Sequence, residues 1–254
     1  GTPFNDEKLT EAQRAQIYAA YGLDKPVLQQ FFIYVANMIK GDFGISYAIQ
    51  RNMPVSALVG PRIGVSFGLG IGACVIGTIF GLILGIVAAL NRNHFWDSFA
   101  TILSVIGVSI PSFVICLLLL ILFGVQMPVL PVIYNNARPV ASSIIPMVAM
   151  SFGVVANVAR FTRSEMIEVL GSEYILLAQA KGISQRRLIW MHAIRNCLIP
   201  VITVLGPIIV GLMTGSMVIE KICAIPGLGS LLVKAIEVRD YNVILAISFL
   251  YSAL

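Results

Sequence analysis

The side chains of this 254-residue chain equipped for acid–base, metal or nucleophilic chemistry are few: two histidines, twelve carboxylates and four cysteines. Their spacing does not assemble a reaction. His94 and His192 belong to no H-E-x-x-H pattern, and no Ser with a His, or pair of Asp residues, falls inside an apolar run where intramembrane hydrolysis would need it. Cys74, Cys116, Cys197 and Cys223 show no C-x-x-C spacing, and the first three lie in or beside apolar runs, so they read as small apolar residues. "GDFGIS", residues 41–46, carries the letters of a kinase magnesium motif without a Gly-rich loop, an H-R-D segment or a catalytic Asn, and reads as a turn. No G-x-x-x-x-G-K-[ST] phosphate loop occurs, so ATP is not expected to bind this chain. No catalytic, cofactor-binding or metal-binding residue is expected.

What the chain does concentrate is positive charge. Residues 160–195 hold six bases (Arg160, Arg163, Lys181, Arg186, Arg187 and Arg195) against three acids, whereas residues 1–58 and 220–242 are balanced. Arg92 offsets Asp97 in this bookkeeping. The densest stretch is "EYILLAQAKGISQRRLIWMHAIRN", Glu173 to Asn196. Its spacing predicts a helix over Glu173–Lys181 that ends at Gly182, a residue suited to a left-handed turn, with Lys181 in the last turn against the helix dipole. Ser184 then caps a second helix in which Leu188, Met191, Ile194 and Leu198 share a face apart from Arg186, Arg187, His192 and Arg195. Such an element lies at a membrane edge rather than crossing it. It could rest on anionic headgroups, fix topology by its charge, or present a docking surface, and the small residues Ala178 and Ala180 favour the last.

The elements that must position this stretch are membrane spans. Only 11% of residues are charged and 58% are hydrophobic, where a soluble domain shows about 25% charged. Runs of about 20 apolar residues in lipid must be helices. Five are expected: Ile63 to Leu90, Phe99 to Val125, Ser143 to Ala159, Cys197 to Ile219, and Val243 onward. The fifth, "VILAISFLYSAL", has 12 residues and Gly1 is not an initiator methionine, so spans beyond both ends are expected. If the basic segment faces the cytoplasm, residues 91–98 lie inside, and 1–58, 126–142 and 220–242 lie outside. Residues 1–58 read as an extracytoplasmic helical subdomain. Thr10 with Gln13 makes a capping box, Gly22 ends that helix, Asp24 and Pro26 start the next, and Gly41 ends it. Residues 59–254 form the membrane domain.

The spans lack Asp, Glu, Lys, Arg and His from Ile63 to Asn91, from Ser98 to Ala137, from Pro139 to Ala159 and from Asn196 to Ile219. Ion-coupled transporters place ionisable groups there, so that class is disfavoured. Gly64, Gly68 and Gly72, then Gly77, Gly81 and Gly85, recur every four residues and give smooth faces for a neighbouring helix, within the subunit or in a second one. Pro111 should kink its span, with Ser109 and Ser112 satisfying the freed backbone, beside either a polar pathway or an ordinary packing contact.

At Glu173, Tyr174, Ala178, Ala180, Lys181 and Gly182, followed by His192, Ala193, Arg195 and Asn196, the chain resembles the permease subunits of binding-protein-dependent ABC importers. The likeness is to the first permease of the dipeptide and oligopeptide systems, whose EAA loop reads E-Y-x-x-x-A-x-A-K-G and then H-A-x-R-N. "GLDKP", "KGDFGIS", "GVSIPSF" and "TGSMVIEKICAIPGLGSLLVKAIEVRDY" extend it along the chain. The general loop ends in I-x-L-P, where this chain has His192, Ile194 and Arg195; Cys223 stands where an aromatic is common, and Asn242 where Pro often follows. The resemblance implies an all-α, polytopic type I ABC importer transmembrane domain in the bacterial cell membrane, with six helices in the full chain, the first before Gly1 and the last cut here. It implies that an EAA loop at about 165–196, including Arg187, docks on a cytoplasmic ATPase. It implies as partners a second permease, two ABC ATPases holding ATP and magnesium, an extracytoplasmic binding protein, lipid and a peptide substrate, and no nucleic acid. A nickel permease is the alternative within the family. Glu220, Pro226, Gly227, Arg239 and Asp240, in the outer loop at about 220–242, are placed near the docked binding protein and external gate, or in a re-entrant packing element. In that loop Ser230 can cap a helix whose Leu231, Leu232, Ala235 and Ile236 share a face.

Overall fold

The computed structural model describes residues 24–253, so the capping box at Thr10 and Gln13 and the helix stop at Gly22 lie outside the described residues. The described elements are helices: α1 (Val27–Ile39), α2 (Val55–Leu90), α3 (Phe95–Ser109), α4 (Ser112–Leu119), α5 (Pro139–Leu170), α6 (Glu173–Ala180), α7 (Gln185–Arg187), α8 (Ile194–Gly215), α9 (Met217–Ile222), α10 (Leu228–Glu237) and α11 (Tyr241–Ala253). π-helical turns follow α4 at Leu120–Gln126 and α7 at Leu188–Ala193. Three helical stretches are long and apolar enough to cross a membrane: Val55–Leu90, Pro139–Leu170 and the run Gln185–Ile222. The second expected span, Phe99 to Val125, is bent by 98° between Ser109 and Ser112. The fifth is the shorter apolar helix α11.

That bend corrects the expected kink. Pro111, which is exposed, is the N-cap of α4 rather than a residue inside a helix, and Ile110 before it is extended, as proline demands of its predecessor. Ser109 and Ser112 do not repair the break. The Ile110 N–H reaches Ile106 O, and Pro111 O accepts from Val114 and Ile115, so the two helices simply end and begin. Pro111 therefore shapes the chain path, and among the described residues it stays exposed.

The chain divides into two compact units. One comprises, among the described residues, 24–65 and 226–253. Here α1 starts after Pro26, with no cap from Asp24, and Gly41 (φ +83°) closes it: the Gly41 N–H bonds Met38 O and the Asp42 N–H bonds Asn37 O. "GDFGIS" is a turn, with Asp42 Oδ1 accepting from the Gly44 N–H. In α10, which packs on α11, the buried residues are Leu228, Gly229, Leu231, Leu232 and Ala235, while Ile236 is exposed. The helix begins at Leu228 with Gly227 as N-cap, so the apolar face runs from Leu228, and Ser230 Oγ donates back to Gly227 O instead of capping.

The other unit is residues 66–225, with α5 at its centre. α5 runs past the expected Ala159 to Leu170 and packs against α3, α4 and α8. The glycines of α2 divide. A Cβ on Gly77 would sit 2.4 Å from Val154 Cβ, one on Gly81 2.7 Å from Val158 Cβ, and one on Gly85 2.6 Å from Ala159 O; at Gly72 it would meet Met147 Sδ at 2.7 Å. These four let α2 lie directly on α5. Gly64 and Gly68 face open space within this chain. Gly85→Ala is therefore expected to lower stability by about 1–3 kcal/mol, because a backbone carbonyl cannot step aside. Gly68→Ala should be neutral or slightly stabilising; thermal unfolding of the purified subunit in detergent compares them.

Charge completes the packing. The Arg163 guanidinium grips the buried Asp97 carboxylate in two hydrogen bonds, Nη2 to Oδ2 at 2.8 Å and Nε to Oδ1, and the Asn93 N–H adds a third at 2.9 Å. This ties the first turn of α3 to α5. Beside it Phe95, Trp96 and Phe99 form an exposed cluster of mutually contacting rings, the chemistry of a membrane–water boundary.

Candidate functional site

The stretch from Glu173 to Asn196 folds as helix, break, helix, and its local chemistry explains the break. Gly182 adopts φ +79° with nothing within 4 Å of where a Cβ would be. The Gly182 N–H bonds Gln179 O at 2.9 Å and the Ile183 N–H bonds Ala178 O at 3.2 Å, a Schellman closure that satisfies the last carbonyls of α6. Ser184 occupies the N-cap of α7 with extended backbone, but its side chain makes no capping bond.

The second helix departs from the expected pattern. α7 does not stop at the membrane edge; it runs through the π turn Leu188–Ala193 directly into α8. A π turn inserts one residue into the helical repeat. The buried line is accordingly Leu188, Ala193, Cys197 and Val201, spaced five, four and four, while Met191 is 58% exposed. These four residues join Ile175 of α6 and Met166 of α5 in one apolar cluster. The other side presents Leu176, Leu177, Trp190 and Met191 to the outside, 57–66% exposed, beside Arg186 and Arg187. Residue type alone could have flagged Trp190 among the bases; the register shift hid Met191.

The motif residues lie where a partner could meet them. Glu173, Tyr174, Ala180, Lys181, Gly182, Arg187, Arg195 and Asn196 are exposed, and Ala178 and His192 are half-buried. Glu173 opens α6, favourable against the helix dipole. Asn196 Nδ2 donates to Tyr174 Oη at 2.7 Å, so the two ends of the motif are stapled. Through Ile175 and Leu188 the motif is continuous with the buried cluster that contains Met166 of α5 and Val201 of α8.

Residues 81–254 match the family described as binding-protein-dependent transport system inner membrane component. The chain belongs to that family. It is 44% identical over 254 residues to the dipeptide transport system permease protein of Lactococcus lactis subsp. cremoris, covering 100% of this chain and 83% of the relative. It is 43% identical to the dipeptide transport system permease protein of Bacillus subtilis (100% and 82% covered) and 41% identical to the oligopeptide transport system permease protein of Escherichia coli (100% and 83%). A binding-protein-dependent transport component with this all-α, polytopic architecture is a multi-pass cell membrane protein.

Three of the five residues named in the 220–242 loop, Glu220, Gly227 and Asp240, are buried. Glu220, on α9, is fully buried, and its Oε1 accepts from Ser66 Oγ at 2.7 Å and Ser216 Oγ at 2.8 Å. Asp240, in the other unit, is also fully buried: its Oδ2 accepts from the Ser46 hydroxyl and from the N–H groups of Tyr47, Ala48 and Ile49 at 3.0–3.1 Å. Asn242 Nδ2 adds a bond to Ile45 O at 2.9 Å. A carboxylate out of water must collect donors, and spacing within one segment cannot reveal partners 194 residues away. Pro226 and Arg239 are exposed, Arg239 at φ +58°, and Gly227 is buried.

Burial alone would raise the Asp240 pKa, but the Ser46 hydroxyl and then the amides of Ala48, Ile49 and Tyr47 outweigh it and hold the carboxyl below the usual carboxylate range. A depressed folded value means that Asp240 stabilises its unit fully above the ordinary Asp pKa of about 3.9 and loses that contribution as pH falls through the folded value. Amide-exchange protection of residues 46–49 is expected to be flat down to about pH 4 and to drop below it. Asp240→Asn should show reduced protection at neutral pH.

Cys116 and Cys223 are also brought together, their buried sulfurs 3.6 Å apart as free thiols. They pack as small residues with a weak mutual hydrogen bond.

Proposed function

We propose that this chain is a permease subunit forming half of the pathway for ATP-driven import of di- or oligopeptides, coupled to its ATPase through residues 173–196. The observation that carries the reading is the stapled, glycine-broken helix pair, whose inner face is packed into α5 and α8 and whose outer face is apolar and rimmed by bases. The names of the relatives support peptide as the cargo.

In this mechanism two ATPases hold ATP and magnesium, and this chain supplies no group to the hydrolysis. The face containing Leu176, Leu177, Trp190 and Met191 seats in an ATPase groove, with Lys181, Arg186 and Arg187 meeting acidic groups at its rim. When the ATPases close, the seated helices move. Because Ile175 and Leu188 sit in the same close-packed cluster as Met166 and Val201, the displacement reaches the spans instead of dissipating in a loop. Energy enters from the partner, so an ion-coupling group is not required, and the apolar runs from Ile63 to Asn91 and from Asn196 to Ile219 carry no Asp, Glu, Lys, Arg or His. A second permease completes the pathway, and an extracytoplasmic binding protein delivers the peptide near Pro226 and Arg239.

The test is uptake of labelled di- and oligopeptides by vesicles containing this chain with its co-encoded partners. ATP-dependent, protonophore-insensitive uptake is expected. Uptake driven by an ion gradient without ATP, or of nickel in place of peptide, would sink the reading.

A further inference from the structure

The exposed faces of the long helices differ in chemistry. On α2 the outward residues are Ile71, Val75, Ile79 and Ile83, spaced by four and 49–56% exposed. An aliphatic stripe of this kind suits lipid. α5 is buried on most of its circumference, from Ile145 through Val154, Val158 and Met166. C-terminal to the half-exposed Phe152, the strip it leaves uncovered is polar: the half-buried Gly153, then the exposed Asn157, Arg160, Ser164 and Glu168, spaced four, three, four and four, which is one helix face.

Depth makes this strip costly against hydrocarbon. α5 has 32 residues, about 48 Å of helix against a hydrocarbon core of about 30 Å. Asn157 lies about 27 Å along the axis from Pro139, so the strip starts inside the membrane and leaves it near Arg160. An amide and a guanidinium at that depth need water or a polar partner. The Arg160 guanidinium makes no hydrogen bond or ion pair among the described residues. Asn157 Nδ2 donates to Gly153 O at 2.8 Å, which leaves its carbonyl outward, and nothing lies within 4 Å of where a Gly153 Cβ would be. The strip thus offers a backbone-width recess, an amide acceptor and an unneutralised cation in succession.

We infer that this face of α5 lines the inner half of the translocation pathway, and that Arg160 receives the terminal carboxylate of the passing peptide while Asn157 accepts from its backbone N–H. The inference rests on the peptide-import reading. Charge complementarity selects the occupant: a peptide with a free C-terminus carries the carboxylate that the arginine lacks among the described residues.

The experiment uses the complete transporter in vesicles and one carried peptide in two forms, with a free C-terminal carboxylate and with a C-terminal amide. Arg160→Gln is expected to lower the ratio of their maximal uptake rates about tenfold, the scale of one charged hydrogen bond, and Arg160→Lys to restore most of it. The ratio cancels losses of folding or assembly. In parallel, Asn157→Cys should react with a charged, hydrophilic methanethiosulfonate and be protected by peptide, while Ile79→Cys should not react. An unchanged ratio in Arg160→Gln, an inert Asn157→Cys, or its cross-linking to the second permease would overturn the inference while leaving peptide import intact. Absence of any peptide uptake by the unsubstituted transporter would overturn the functional reading instead.

Discussion

Truncating Arg163 to alanine is expected to cost about 3–5 kcal/mol of stability, the largest effect of any single substitution considered, because it leaves the Asp97 carboxylate buried without its cation. Asp97 is only 6% exposed at its side chain, and two of its hydrogen bonds come from Arg163. The Asn93 N–H alone cannot replace them. The pair joins α3 to α5 across 66 residues of sequence, so its loss should loosen the bent span as a body and lower the yield of membrane-inserted protein. Asp97→Asn with Arg163→Met should be much better tolerated than Arg163→Ala, since it removes both charges together. Thermal unfolding midpoints in detergent decide this. If Arg163→Ala unfolds no earlier than the double variant, the pair carries no such load.

Gly182→Arg is expected to leave insertion and folding largely intact yet lower substrate-stimulated ATP hydrolysis by roughly tenfold or more, within the usual range of coupling energies between sites. A side chain there meets no atom of this chain within 4 Å, so the folded subunit has room for it. The cost within the subunit is the left-handed backbone, about 1–2 kcal/mol for a residue with a Cβ. On the proposed docking the cost at the partner is larger, because the arginine projects from the corner between α6 and α7 that the ATPase would approach. Gly182→Asn, which tolerates φ +79°, separates the two causes. It should retain coupling if bulk is what matters. Normal stimulated hydrolysis in Gly182→Arg would remove this corner from the docking surface.

Both predictions depend on how differently the two features could be read. The Gly182 corner is local chemistry: a glycine after a short apolar helix, with its closing hydrogen bonds reaching back three and five residues to Gln179 and Ala178, is legible from a few letters. The Asp97 pair is long-range. From the sequence Arg92 is the nearer base, and only the packing of α3 on α5 brings Arg163 to it. Glu220 and Asp240 follow the same logic. As letters they belong to a polar outer loop; in the fold each is buried among hydroxyl or amide donors supplied from distant segments.

By itself the sequence determined that the chain lives in a membrane, that its long elements are helices, and that residues 173–196 form two helices joined at Gly182, because apolar run length, charge scarcity and a left-handed glycine act over a turn or two of chain. Tertiary structure alone decided the register of the second helix, where one inserted π residue moved the buried line from Met191 and Ile194 to Ala193 and Cys197. It also decided the 98° break at Pro111 and which of the eight glycines of α2 touch α5. A helical period says which residues share a face only while the helix stays regular. Which neighbour covers that face is set by packing, and packing has no signature within a single segment.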